Sequence, residues 1–448
     1  MGHGTMSLKL TKTLLVLAAT VSITACDQLS GSGDTLAGPR EPIRANEGFA
    51  GQIAAELSGS AEIRLPRART NSEWTHRGSD IDHAPDHVAL AETIAPVWSV
   101  DIGAGNSRKQ RITAEPVVER ERIFTLDAAG VVTAVSTSGA VLWQSDIAPK
   151  RDAADASGGG LAVDGGTLYV SSAYGSLFAL DAETGAVRWE QELNASGVAA
   201  PAVAGGIVYM VAGDSRAWAL DAGTGRINWT IEGAPSDGSY IGGAAPAIGR
   251  SLAIFPYATG DVQAVFRRGG FSRWTANVSG KREGFAVSEI SEITADPVLD
   301  NGRVYVGNAS GRIAALDAST GERIWTARNG TLGTIVPVGR NDLFTINDQN
   351  QLIRLSARDG SVIWSKQLPH YLNDNAKRRA EISVHYGPLL AGGRLIVASS
   401  DGVMRQYSVV DGSEMASVAI AGGAATAPIV VNETLYVVTA KGQLAAFR

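Results

Sequence analysis

Apolar residues in this chain come in short runs. From about residue 95 to the C-terminus they form brief stretches, some alternating and some continuous, each bounded by glycine, aspartate or asparagine. Runs of this length predict short strands joined by tight turns. The segment GGGLAVDGGTLYVSSAYGSLFALDAETGAVRWEQEL divides into AVDG, TLYVSSA, SLFALD and AVRWEQEL, four strands in one unit. No stretch of 18 apolar residues occurs in the body of the chain, so nothing there is long enough to cross a membrane as a helix.

The last two strands of that unit carry a motif that the chain repeats. It reads ALDAETGAVRW from Ala179 to Trp189, ALDAGTGRINW from Ala219 to Trp229 and ALDASTGERIW from Ala315 to Trp325. The shared pattern is A-x-D-x-x-T-G-x-x-x-W. Asp and Thr side chains can bond nearby backbone N–H groups, and the glycine takes positive φ cheaply, as a bulged hairpin loop requires. Alternation places Val187 and Trp189 on one face of the return strand. The motif is therefore a hairpin with a Trp at a fixed offset. Degenerate copies fill the gaps: AVSTSGAVLW, AVFRRGGFSRW, RLSARDGSVIW and QYSVVDGSEMA.

The Trp position recurs at Trp98, Trp143, Trp189, Trp229, Trp274, Trp325 and Trp364, and then at Ala416, with a mean spacing of about 45 residues. A period in the forties with four strands per repeat predicts an all-β chain folded as an eight-bladed β-propeller, in which each Trp packs one blade on the next. The two ends predict how the ring closes. The last residues, APIVVNETLYVVTAKGQLAAFR, supply three strands of an eighth blade and stop where a Trp strand is due. APVWSVDI, from residue 95 to 102, is that strand, so the N-terminal strand completes the last blade and removes two sheet edges.

Composition adds little to the fold and more to the compartment. The 448 residues are 44% hydrophobic, with 52 glycines and a formal charge of −6. No long basic run accompanies that charge, which speaks against nucleic acid as a partner. Lys377, Arg378 and Arg379 read as a solvated loop. The start of the chain differs. Lys9 and Lys12 precede the apolar run LLVLAATVSI, and ITAC ends it at Cys26, the only cysteine. Charge, a short apolar core and small residues at the cut make a secretory signal. A cysteine at the cut resembles the bacterial lipobox, which implies lipidation of Cys26. Translation can begin at Met1 or Met6. The expected organisation is a lipoprotein signal peptide over 1–25, a flexible tether over 26–64 with a short helix across 49–59, an ordered coil over 65–94, and the propeller over 95–448.

The docking motif resembles the repeat of the quinoprotein (PQQ) dehydrogenase propellers over the whole folded part. Two branches of that family fit the pattern. The enzymes oxidise alcohols or sugars with PQQ, carry a vicinal Cys-Cys pair over the cofactor, and hold calcium with acidic and amide residues. This chain has a single Cys and shows no such calcium set. The other branch resembles it in lipobox, tether and eight degenerate blades. This is the BamB-type family of outer-membrane assembly lipoproteins. The resemblance implies a scaffold with no enzymatic activity and no cofactor, bound to the periplasmic region of a BamA-like barrel assembly protein and aiding insertion of nascent outer-membrane β-barrels. It implies a lipid anchor on the periplasmic face of the outer membrane, although Asp27 after the lipidated Cys resembles an inner-membrane retention signal. It implies a partner surface at Tyr240, Ile241, Glu292 and Thr294. The family commonly carries a Leu-Arg pair and two acids at those places.

Other candidate chemistry is sparse. His76, His83 and His87 lie close to Asp80, Asp82 and Asp86, but their spacing matches no structural-zinc pattern. This polar coil is expected to pack over the ring's edge. His370 and His385 have no nucleophile near them in sequence, and no GxSxG elbow or P-loop occurs. A third reading is a periplasmic propeller that binds a small ligand or a peptide in its central channel.

Overall fold

A computed structural model describes Met1 and residues 56–448 apart from 150–155, 198, 235–241, 279, 281–290 and 373–380. Everything below concerns the compact unit Glu56–Arg448. Among the described residues every regular element is a β-strand, and the strands form eight antiparallel sheets of four. Blades 1 to 7 each use four consecutive strands. Blade 2 shows the plan, with strands Gly159–Asp164, Thr167–Ser172, Ser176–Asp181 and Val187–Glu192. Its first three strands are largely buried, whereas the fourth alternates between exposed and half-buried. The first strand of each blade is thus innermost and the fourth forms the rim. In such a sheet the first and third turns fall on one face of the ring. The second turn and the link between blades fall on the other.

The hairpin reading of the motif holds at the level of atoms. Asp181 Oδ1 accepts hydrogen bonds from the Thr184 N–H and Oγ1, both at 2.9 Å, and Arg188 Nη2 donates to Oδ2 at 2.7 Å. Arg188 first, and Thr184 next, pull the Asp181 carboxyl down to about 2. Gly185 has φ +74°, and a Cβ there would lie 2.5 Å from the Trp143 ring of the preceding blade. The close approach and the positive φ therefore both demand glycine. The return strand differs from simple alternation in one respect. Ala179 pairs with Trp189 but Leu180 pairs with Val187, so a bulge turns Val187 outward to 51% exposure.

Each tryptophan reaches forward to the next blade. Trp143 Nε1 donates to the Ala182 carbonyl at 3.2 Å, Trp189 to Ala222 at 3.0 Å, and Trp229 to Arg267 at 3.1 Å. Trp274, Trp325 and Trp364 make the same bond to Ala318, Ala357 and Val409. Trp98 packs on Gly139 in the same way. The six contacts from Trp143 to Trp364 combine a packed aromatic face with one satisfied N–H, so much of the ring is held by the same joint repeated between blades.

Blade 8 closes as the two ends predict. Pro96–Asp101 lies beside Gln443–Phe447, with Trp98 opposite Ala446 and Asp101 opposite Gln443. Ala95 and Arg448 exchange backbone hydrogen bonds of 2.8 and 2.9 Å.

Candidate functional site

The chain enters the ring along blade 6. Residues 56–64, the end of the expected tether, are bonded to it. Leu57 N–H donates to Ser365 Oγ and the Ser365 N–H to the Leu57 carbonyl, at 2.8 and 3.0 Å. Most of the helix expected across 49–59 lies outside the described residues, and residues 56–59 are not helical. The anchor is Arg354, which stands where the repeat has Ala179. It is 1% exposed, bonds Asp342 Oδ1 at 2.8 Å, and donates to the carbonyls of Ala61 and Glu62. Ile63 and Leu65 then pack at the joint between blades 6 and 7.

The coil that follows does not pack over the ring's edge; it occupies the centre. The Asn71 carbonyl accepts from Asn432 N–H beside the inner strand of blade 8. Trp74 pairs with Val118 of blade 1, and the Thr75 carbonyl accepts from Val163 N–H of blade 2. His76 Nε2 accepts from Val203 N–H of blade 3. Ile81 and Asp82 carbonyls accept from Ile248 and Leu299 of blades 4 and 5. Ala84 packs on the joint between blades 5 and 6, and Val88 bonds Leu390 and Gly392 of blade 7. Residues 71–88 thus follow the inner strands round the axis in blade order. The reason is elementary: inner-strand edges carry unpaired backbone groups, and a polar coil with free carbonyls can satisfy them.

Arg77 projects from this circuit toward the other face. Its Nε lies 3.0 Å from Asp296 Oδ2 and 3.7 Å from Glu115 Oε1, and its Nη1 donates to the Gly243 carbonyl at 3.0 Å. The three side chains are 19, 12 and 12% exposed. Asp296 Oδ1 also accepts from the Ala245 N–H at 2.7 Å, and Glu115 Oε2 from Gly78 N–H at 3.2 Å. One arginine therefore joins the residues leading into blades 1, 4 and 5. Burial pushes the Glu115 carboxyl up, with Arg77 opposing and Asp296 adding to the rise.

This network adjoins the described part of the expected partner surface, since Gly243, held by Arg77, lines one cavity with Glu292. Tyr240 and Ile241 lie outside the described residues, as does Cys26; the next two residues, Gly242 and Gly243, are those whose carbonyls Arg77 holds. Glu292 is 5% exposed, against a cavity of about 20 Å³ that Tyr257 and Gly243 also line. Thr294 is half-buried and donates to the Thr331 carbonyl at 2.6 Å. Neither Arg77 nor Asp296 stands out in the sequence, because a buried ion network between a coil and two loops leaves no periodic signal.

The three histidines are not gathered into a metal site. Each binds the backbone of a different blade: His76 as above, His83 Nδ1 at 3.0 Å from the Pro297 carbonyl, and His87 Nε2 accepting from Gly393 N–H at 2.8 Å. Among the described residues no group of three His, Cys, Asp or Glu side chains is placed to hold an ion. His76 is 3% exposed and its Nε2 must be unprotonated to accept. Burial, and then the neighbouring His83, push its pKa down to about 3. A folded-state pKa below the unfolded value near 6.5 means stability is full above pH 6.5 and falls as pH drops toward 3. Between pH 7 and 5 urea unfolding should lose about 2 kcal/mol through this residue. His76→Gln, whose Oε1 can stand in for Nε2, should flatten that slope. An unchanged slope would show that His76 does not govern the acid response.

Comparison with known proteins places this geometry in company. The family model described as outer membrane protein assembly factor BamB matches residues 128–366 and 309–448. BamB of Salmonella typhimurium is 30% identical over 362 residues, covering 79% of this chain and 88% of that protein. BamB of Escherichia coli K12 is 30% identical over 353 residues, covering 77% and 86%. Among solved structures, BamB from Moraxella catarrhalis superimposes with a TM-score of 0.64 at 19% identity, over 80% of this chain and all of that one. Quinohemoprotein alcohol dehydrogenase from Comamonas testosteroni gives 0.64 at 16% identity, over 85% and 81%. At those identities the structural likeness is one of fold.

Proposed function

The chain belongs to the BamB family of outer membrane protein assembly factors, and on that premise we propose that it is a non-enzymatic scaffold for outer-membrane protein assembly. Its partner in this reading is the periplasmic region of a BamA-like barrel protein, and nascent outer-membrane proteins pass the same assembly. A lipid on Cys26 holds it to the periplasmic face of the outer membrane. The partner contact is Tyr240 and Ile241, backed by Glu292 and Thr294. An aromatic and an aliphatic side chain in a glycine-bounded loop suit a binding anchor.

The observation that carries this reading is the state of the axis. A quinone cofactor over a calcium ion calls for convergent acids and open space there. The axial acids Glu115 and Asp296 are both taken by Arg77, and residues 71–88 follow the inner strands round the axis. The residues present do not fit that cofactor, and the same segment leaves the reading of a channel-bound small ligand without support. Among the described residues, what this leaves for function is surface.

The test is purification of the full-length protein from gently solubilised envelopes. The expected result is an N-terminus at Cys26, recovery with outer membrane, and co-elution of a large β-barrel protein. Tyr240→Asp with Ile241→Asp should cut that co-elution at least tenfold while the unfolding transition stays in place. Absence of the barrel protein, with PQQ or another small molecule bound instead, would overturn the proposal.

A further inference from the structure

The repeat supplies its own control for what each blade is built to do. Where a copy departs from the docking motif, the departure in two blades is accounted for by the entering chain. Blade 6 has Arg354 in place of Ala179, and it grips residues 61 and 62. Blade 7 has Gln406 at that place; its oxygen accepts from Arg394 Nε, whose Nη2 donates to the Ala91 carbonyl at 2.6 Å. Blade 4 keeps the Ala, Gly and Trp of the motif but replaces its Asp and Thr with Phe266 and Gly269, and no contact with the entering chain accounts for that change.

In blade 4 the turn reads FRRGGF, so Phe266, Arg267, Arg268 and Phe271 stand where blade 2 has Asp181, Ala182, Glu183 and Ala186. The parts the fold needs are kept: the Arg267 carbonyl still accepts from Trp229 Nε1, and Gly270 still packs on that ring. Arg267 is half-buried and ties the two blades, its Nη2 donating to the Ala204 carbonyl at 2.7 Å and its Nη1 to the Gly249 carbonyl at 3.3 Å, whereas the other changed side chains face outward. Phe271 is 74% exposed and Phe266 45%. Arg268 and Arg250 are exposed too, and neither forms an ion pair among the described residues. Arg267 lies over the Tyr209 ring at 5.8 Å. Ile207, Tyr209, Arg250, Phe266, Arg267 and Arg268 line a groove of about 460 Å³ between blades 3 and 4, and Phe271 stands on the same turn with its ring against Gly269.

That groove has the same place in the ring as the joint between blades 6 and 7, which residues 61–65 fill with Ile63 and Leu65. Fold and packing account for the filled joint; they do not account for two exposed phenylalanines and two exposed arginines beside the open one. We infer that the groove between blades 3 and 4 docks an extended, acidic segment of a protein partner, with apolar side chains on the Phe266 and Phe271 side and carboxylates on Arg250 and Arg268. Cationic grooves in a chain of net charge −6 select anionic ligands. A polypeptide fits better than an anionic lipid surface, because the adjoining groove of about 660 Å³ carries Asp80, Asp82 and Asp300, which such a surface would meet with like charge. The site lies on the face of the first and third turns, away from Gly243 and Glu292, so it stands or falls independently of the barrel partner.

The test uses the full-length protein and two fluorescein-labelled decapeptides, one alternating Asp with Leu and one alternating Lys with Leu, read by anisotropy. The Asp peptide should bind and the Lys peptide should not. Arg250→Glu with Arg268→Glu should weaken binding at least tenfold, Phe266→Ser with Phe271→Ser about fivefold or more, and neither pair should shift the unfolding midpoint or the barrel co-elution. Equal binding of both peptides, or binding indifferent to these variants, would overturn the inference. So would loss of self-association in the variants with no peptide binding, which would make the face a contact between copies. Binding of phosphatidylglycerol vesicles, but not the peptide, through the same residues would replace the partner with a membrane.

Discussion

Arg77→Met should destabilise the ring by roughly 3 to 5 kcal/mol, because it leaves two buried carboxylates without their counter-charge. Glu115 and Asp296 are each 12% exposed and face the same guanidinium. With Arg77 gone they confront each other as like charges, and burial already holds Glu115 above its ordinary range. The change also frees the Gly243 carbonyl, whose loop carries the expected partner contact. Removing the charges with the arginine separates these terms. Arg77→Met with Glu115→Gln and Asp296→Asn should recover most of the loss, since a neutral buried set costs far less than an unpaired ionic one. Urea unfolding at pH 7 of both variants measures it. A single variant within about 1 kcal/mol of the parent would mean the network behaves as a solvated surface pair.

The ring was legible because its joints are local. A hairpin whose Asp, Thr and Gly have fixed offsets, and a Trp four residues past the Gly, repeat at a period set by four short strands. The closing strand was legible for the same reason, since APVWSVDI lacks the hairpin that every other Trp strand follows. Val187 was misplaced because alternation cannot show a bulge. Residues 56–94 were illegible in a different way. They bind through backbone carbonyls, and through histidines that each serve a different blade, so neither apolar periodicity nor ligand spacing describes them. His76, His83 and His87 sit close in sequence because the coil turns through the centre, passing one inner strand every few residues. The surviving clue was the departures themselves. Arg354 in an alanine position marks a grip on the entering chain. Of the expected partner residues, Glu292 is buried, so an acid in a loop gave no measure of its exposure.

A chain ending at Gly442 should fail to give a cooperatively folded, soluble ring. The deleted residues 443–448 hold the third strand of blade 8, which pairs on one side with Thr434–Val438 and on the other with Pro96–Asp101. Leu444 and Phe447 are 0 and 2% exposed, and loss of two such side chains costs on the order of 5 to 10 kcal/mol. That already matches the whole stability of an ordinary domain. The damage is also topological. Without this strand Pro96–Asp101 has no partner, the residues leading into the ring are tied at one end fewer, and two sheet edges open to solvent. Trp98 loses the strand that sets it against Tyr436, now 5.8 Å away. Deleting Arg448 alone is the control. It removes two backbone hydrogen bonds with Ala95 and should cost only about 1 to 2 kcal/mol. Circular dichroism during thermal unfolding, with sedimentation for aggregates, reads the contrast. If the longer deletion gave a monomer with a sharp transition, closure by the N-terminal strand would be dispensable, and seven blades would suffice to hold the ring.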